Sequence, residues 1–247
     1  MNVIEIGPGP GALTASLLET PLASLTAIEI DARAAPALEA LRDRHPERFR
    51  LVMADARAVA LPALVPAPRH VVANLPYNVA TPLLIGWLAE AGAFARLTLM
   101  FQAEVADRIT ARPGSPAYGR LSVLSQWTSD VLIVLRLSPA AFRPRPKVAS
   151  AVVAFVPHAE QPSPLRFAAM QRLTAAAFGQ RRKMLRQALR SLGGSALLEA
   201  AGIAPDRRAE TLSIAEFDRL ASLLPGAIDP PVAVQPDGPA APTPTAR

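Results

Sequence analysis

Short apolar runs and amphipathic runs follow one another through the first two thirds of the chain. The apolar runs predict strands at Val3–Ile6, Leu25–Ile30, Leu51–Ala54, Val71–Ala73, Leu97–Phe101, Val131–Leu137 and Ala151–Val156. Between them, apolar residues spaced three and four apart predict helices at Ala12–Glu19, Ala34–Arg44, Thr81–Ala91, Ala103–Ala111 and Leu121–Trp127. Strands alternating with helices imply an α/β fold with a doubly wound, mostly parallel seven-stranded sheet. Such sheets bind ligands at the carboxyl ends of their strands, near the point where strand order reverses.

After Pro157-His158 the pattern becomes purely helical. Leu165–Phe178, Arg181–Leu192, Ala196–Ala201 and Ile214–Leu223 read as helices, the last opened by a Ser213/Glu216 capping box. The expected organisation is an α/β domain over 1–158 and a small all-helical domain over 159–224. From Pro225 onward 7 of 23 residues are proline with no periodic apolar face, so 225–247 reads as a disordered tail.

Composition narrows the function classes. The chain has 247 residues, 51% hydrophobic and 19% charged, which is enough to bury a core and excludes a wholly disordered protein. No run approaches the roughly 20 apolar residues of a membrane span. The opening Met1–Gly7 stretch has no basic region, so no signal peptide is expected. Absence of cysteine excludes disulfides, thiolate metal sites and cysteine nucleophiles. A cytoplasmic protein is the simplest reading, and no metal is expected.

The net charge of +6 is uneven along the chain. Val131 to Leu198 holds eleven basic residues and one acid, Glu160, while the remainder sums to −4. The densest part is Arg181, Arg182, Lys183, Arg186 and Arg190. On a helix Arg182, Arg186 and Arg190 would share one face, with Lys183 near it. A solvated helix face and a phosphate-binding surface both fit.

Four motifs carry candidate chemistry. The first is Glu5-Ile6-Gly7-Pro8-Gly9-Pro10-Gly11, between a strand and a helix. Its glycines allow a sharp turn and close approach of a ligand to the backbone, although any tight strand-to-helix turn could use them. The second is Glu29, which ends the next strand about 20 residues on and suits the two hydroxyls of a ribose. Asp31 competes for that role, or caps the following helix. The third is Asp55, placed to accept a hydrogen bond from an adenine amino group or to cap the next turn. The fourth is Asn74-Leu75-Pro76-Tyr77. An exocyclic amine of adenine is a poor nucleophile because its lone pair is delocalised into the ring. Acceptance of both N–H groups, by the Asn74 side-chain oxygen and a neighbouring carbonyl such as that of Leu75, would pull the nitrogen toward tetrahedral geometry. Pro76 stiffens the turn, and Tyr77 can stack on a flipped base. A simple Asn-x-Pro turn is the plainer alternative.

At these motifs the chain resembles class I S-adenosylmethionine-dependent methyltransferases acting on adenine amines. It is most similar to the small-subunit (16S) ribosomal RNA adenine dimethyltransferases. Further matching segments are Gln102–Arg108, Tyr118–Val123, Phe142–Val148 with Ser150–Val153, and Phe178–Lys183. The resemblance runs from about Val3 to Leu224. It implies a Rossmann-like methyltransferase domain followed by a helical RNA-binding domain. It also implies transfer of methyl groups to two adjacent adenosines in a hairpin near the 3′ end of 16S rRNA, in the pre-30S or 30S subunit, by a monomer during ribosome biogenesis. Gly7, Gly9, Gly11, Glu29, Asp55 and Asn74 would contact S-adenosylmethionine. Asn74 through Tyr77 would hold the base, and Phe142 would close over it, unless Phe142 only packs in the core. Arg143, Arg145, Lys147, Arg181, Arg182, Lys183, Arg186 and Arg190 would face RNA.

The family normally carries a segment ahead of the first strand, with a Gln-x-Phe-Leu-type motif that helps cover the cofactor. Here Gly7 follows Met1 by six residues. The expectation is a misassigned start, a fragment or a lost segment, with weaker cofactor binding and a less stable first strand. The alternatives to 16S rRNA dimethylation are a large-subunit (23S) RNA adenine methyltransferase of the macrolide-resistance type, a DNA adenine methyltransferase, and a ribosome-assembly factor without transfer activity. A dinucleotide-dependent oxidoreductase would leave Asn74–Tyr77 unexplained.

Overall fold

The computed structural model describes residues 1–75 and 77–227, with the backbone alone for Tyr77 and Asn78. The chain runs β1 (Asn2–Ile6), α1 (Ala12–Leu18), β2 (Ser24–Glu29), α2 (Ala35–Arg44), β3 (Phe49–Met53), α3 (Leu61–Leu64), β4 (Arg69–Asn74), α4 (Tyr77–Ala89), β5 (Arg96–Gln102), α5 (Ala103–Ile109), α6 (Arg120–Thr128), β6 (Ser129–Leu137) and β7 (Ser150–Pro157). Four helices follow: α7 (Pro164–Gly179), α8 (Leu185–Ala188), α9 (Gly194–Ala200) and α10 (Ile214–Ser222).

The sheet has seven strands in the order β3-β2-β1-β4-β5-β7-β6. β7 runs antiparallel to both of its neighbours, β5 and β6, and the other strand pairs are parallel. The order reverses between β1 and β4, so their carboxyl ends, Ile6 and Asn74, open side by side. Alternation along the buried strands divides the core in two. Val3, Leu25, Ala27 and Val72 face Leu18 of α1 and Leu38 and Leu41 of α2. Ile4, Ile6, Val71, Ala73, Leu97 and Leu99 face the other side, against Leu84 of α4 and Ala106 of α5. That second cluster continues without a break into Phe167, Leu173, Phe217 and Leu220 of the helical part. Trp127 of α6 stacks on Phe167, with ring centroids 6.1 Å apart. Tyr118 meets Phe178 edge-on, and Phe178 stacks on Phe217.

Strand and helix positions follow the periodicity closely, because most elements bury one clear face. The Ser213/Glu216 capping box is present in both directions. Two elements differ: the short α3, Leu61–Leu64, has no counterpart in the expected pattern, and the stretch from Arg181 folds otherwise. The expected helix Arg181–Leu192 is a turn, the four-residue α8 and a short 3-10 turn, Arg190–Leu192. The N–H groups of Leu185 and Arg186 bond to the carbonyls of Arg207 and Pro205 instead of to the preceding helical turn. A contact distant in sequence therefore sets this backbone, and Arg182, Arg186 and Arg190 do not share a helix face. Order also runs slightly past the expected start of the tail: Ala227 is buried, and Arg172 donates to the Pro225 carbonyl. The remainder of that tail, 228–247, lies outside the described residues.

Gly11 fixes how α1 leaves the glycine loop. Its φ is +87°, and a Cβ there would lie 2.7 Å from Leu41 Cδ1 and 3.1 Å from Leu38 Cδ2. Gly11→Ala should therefore cost about 2–4 kcal/mol, from left-handed strain and overpacking together. Denaturant unfolding would measure it, and a loss below about 1 kcal/mol would contradict this packing role.

Candidate active site

A cavity of about 760 Å³ opens where strand order reverses. Ile6, Gly7 and Gly9 line it from β1 and its loop, Glu29 and Asp31 from β2, Asp55 and Arg57 from the turn after β3, and Asn74 and Leu75 from β4. Gly7, Gly9, Glu29, Asp55 and Asn74, all named from sequence, thus meet in one space. Gly11 lies behind it, in the packing against α2. Gly9 has φ +55°, and a Cβ there would find no protein atom within 4 Å. The backbone is consequently bare where a ligand would approach it.

Glu29 is 6% exposed, and both of its oxygens are engaged. Oε2 accepts from Gly9 N–H at 3.0 Å, and Oε1 from Ile30 and Asp31 N–H at 2.8 Å each. The side chain therefore ties the glycine loop to the end of β2. With two lone pairs per oxygen, it keeps one acceptor position, on Oε2, for a hydroxyl. Asp31 takes its capping role: Oδ1 accepts from Arg33 N–H at 3.0 Å, and the Arg33 guanidinium grips both oxygens. Those bonds hold its carboxyl down at about 2.

Asp55 has the same arrangement with Arg57, at 2.6–3.1 Å. The guanidinium and backbone N–H of Arg57 hold the Asp55 carboxyl below its usual range. The capping alternative for Asp55 is therefore realised, while the residue also lines the cavity. Arg57 was not anticipated as a site residue. The signal was present, because Asp31-Ala32-Arg33 and Asp55-Ala56-Arg57 repeat one tripeptide at the ends of consecutive strands.

Asn74 ends β4 in register with Met100 of β5. Its side-chain amide has no hydrogen-bond partner among the described residues, and it faces the cavity with donors and acceptor free. Leu75 beside it is buried. Pro76 and the side chain of Tyr77 lie outside the described residues. Phe142 does not line the cavity. It is half-buried in the β6–β7 loop, which leaves the sheet beside Gln102, at the carboxyl end of β5. Phe142 and Asn74 therefore lie toward the same edge of the sheet.

The basic residues form two groups. Arg143, Arg145 and Lys147 are exposed in that same β6–β7 loop. Lys183, Arg186 and Arg190 line a groove of about 990 Å³ closed by Gly193 and Gly194. None of these six, nor Arg182, forms an ion pair among the described residues. Arg181 differs, because its guanidinium donates to the Pro116 carbonyl at 2.6 Å. The described residues contain no cluster of three or more His, Asp or Glu side chains fit to hold a metal ion, and no helix long and apolar enough to cross a membrane.

This geometry defines a nucleotide-type pocket at the switch point of a doubly wound sheet, with an asparagine amide at its open end. Residues 1–225 match the family model described as ribosomal RNA adenine dimethylase, and the chain belongs to that family. It is 60% identical to the ribosomal RNA small subunit methyltransferase A of Gluconobacter oxydans over 90% of this chain and 73% of that protein. Identity to the protein of the same name in Paramagnetospirillum magneticum is 50%, over 90% of this chain and 80% of the other. The fold matches a dimethyladenosine transferase from Plasmodium falciparum with a TM-score of 0.72, at 24% identity over 89% and 88% of the two chains. It matches the 23S rRNA methyltransferase ErmE with a TM-score of 0.66, at 26% identity over 91% of each.

Proposed function

We propose that this protein transfers methyl groups from S-adenosylmethionine to the exocyclic amines of two adjacent adenosines near the 3′ end of 16S rRNA, in the assembling small subunit. The observation that carries this reading is the Asn74 amide, without a partner among the described residues, at the mouth of a cavity that also holds Gly9, Glu29 and Asp55. Identities of 60% and 50% to small-subunit enzymes, against 26% to ErmE, favour this substrate over large-subunit RNA.

The residues present fit the cofactor. The bare backbone at Gly9 accepts close approach and the free Oε2 position of Glu29 takes a ribose hydroxyl, while Asp55, whose two oxygens are held by Arg57, would take an adenine amino group only by displacing part of that grip. The cofactor supplies an electrophilic methyl on a sulfonium. Asn74 Oδ1 and the Leu75 carbonyl accept the two N–H bonds of the target amine and aim its lone pair, and Tyr77 stacks on the base. The proton leaves after transfer, when the nitrogen has become acidic, so no strong base is required. Positioning carries most of the rate.

Arg143, Arg145, Lys147, Arg182, Lys183, Arg186 and Arg190 form the RNA footprint. Replacing Arg182, Lys183, Arg186 and Arg190 together with glutamine should lower the slope of log affinity against log salt by about 3, from four lost phosphate contacts. An unchanged slope would remove this surface from the footprint.

The deciding experiment is incubation with methyl-labelled S-adenosylmethionine and small subunits lacking the modification, followed by primer extension on both ribosomal RNAs. Stops at adjacent adenosines near the 3′ end of 16S rRNA are expected. Stops confined to 23S rRNA, or no label in adenine, would overturn the reading.

A further inference from the structure

A second hollow, of about 420 Å³, opens where the sheet meets the helical part. It lies at the end of the sheet opposite Asn74, where Ser129 of β6 pairs with Pro157 of β7. Its walls come from Trp127 of α6, Gln161 and Ser163 of the linker after β7, Arg166 of α7, Asp218 of α10, and Ala227. Two polar atoms in these walls stand out. Gln161 Nε2 donates to the Thr128 and His158 carbonyls at 2.9 and 2.8 Å, which fixes the side chain. Its Oε1 is buried and has no partner among the described residues. Arg166 Nη2 donates to the carbonyl and the carboxylate of Asp218 at 2.8 and 2.9 Å. Its Nε is buried and likewise has no partner among the described residues. The walls therefore offer one unmet acceptor and one unmet donor, each costly to leave so.

The chemistry of the occupant follows from this pair. Arg166 is balanced by Asp218, and Glu160 adds a negative charge to the lining, so the hollow has no excess positive charge to draw a phosphate. It presents an indole, an amide oxygen and a guanidinium N–H. A peptide carries the complementary N–H and C=O in every ordinary residue. The chain itself leads a peptide to this place. Ala227 is buried in the wall, its N–H bonds to the Leu224 carbonyl, and Arg172 holds the Pro225 carbonyl. The next residues in sequence are Ile228-Asp229-Pro230-Pro231-Val232. Adjacent prolines pre-set the extended polyproline conformation, which is recognised by packing on aromatic side chains. Five extended residues reach about 17 Å, more than a hollow of this volume is wide.

We propose that residues 228–232 of this chain seat in the hollow, with the proline pair against Trp127. An N–H of Ile228 or Asp229 donates to Gln161 Oε1, and a carbonyl of the segment accepts from Arg166 Nε. Because α6, α7 and α10 all contribute to the walls, the seated segment is a strap across the junction between the sheet and the helical part.

Amide hydrogen exchange of the full chain, read residue by residue by NMR, tests this. The Asp229 and Val232 amides should exchange at least about tenfold more slowly than an unstructured peptide, whereas those of 240–247 should not. The double substitution Pro230→Gly and Pro231→Gly should return Asp229 and Val232 to unstructured rates and speed exchange of the Arg166 Nε–H. Gln161→Met, which keeps the side-chain length and removes the acceptor, should release the same amides. Should that variant not fold, the double proline variant touches only the segment and still decides. Unstructured rates at Asp229 and Val232 in the wild type would overturn the proposal and leave these wall groups to water. An Arg166 Nε–H signal that the double variant does not change would overturn it too. Protection that rises with protein concentration would place the segment in another copy and equally sink the intramolecular strap.

Discussion

Asn74→Ala should lower the rate of methyl transfer by about 10²–10³-fold while changing cofactor affinity only several-fold. The side chain is exposed at the end of β4 with no partner among the described residues, so its removal leaves none of their buried groups unsatisfied. The fold should not suffer, and the loss should fall on the chemical step. What disappears is the acceptor that holds one amine N–H and turns the nitrogen lone pair toward the methyl group. Asn74→Asp retains an acceptor oxygen and should lose less than Asn74→Ala. Single-turnover transfer of labelled methyl, with calorimetric binding measured in parallel, separates the two effects. Wild-type-like transfer by Asn74→Ala would sink the proposed role.

Glu29→Ala should act on binding and stability together. The carboxylate closes the glycine loop onto β2 through Gly9 N–H and also accepts from Ile30 and Asp31 N–H. Its deletion leaves those donors without their acceptor, at a cost of about 1–3 kcal/mol for each one that water does not reach. It also removes the charged acceptor proposed for the ribose. Cofactor affinity should fall about 100-fold, with a lower melting temperature. Glu29→Gln should not rescue. One amide oxygen cannot serve both positions, so the amide NH₂ must face at least one of the three N–H donors. Retention of tight cofactor binding by either variant would mean that Glu29 is structural alone.

Much of the site was legible from sequence because its parts are local. The glycine loop, the acid ending β2 and Asn74 after β4 each announce themselves by residue type and position on a strand. Other features depended on contacts remote in sequence. The basic stretch from Arg181 reads as a helix because its residues have helical spacing. Bonds from Leu185 and Arg186 to the 205–207 segment dictate otherwise. Those bonds place Lys183, Arg186 and Arg190 round a groove rather than along a stripe. Asp55 reads as an adenine acceptor or as a cap, and the fold realises the cap, with Arg57 folded back over both oxygens.

Glu5 illustrates the division most clearly. As sequence it is one letter of a glycine-rich motif, and any strand end can carry an acid. Its burial, with Oε2 unpartnered among the described residues, follows from what β2, β4 and α1 bring around it. The chain's own pattern of apolar spacing determined the seven strands and the succession of sheet and later helices, because periodicity sets which face each element must bury. Tertiary structure alone decided which charges are free, paired or buried, because a carboxylate's state depends on solvent and on partners that lie far away along the chain.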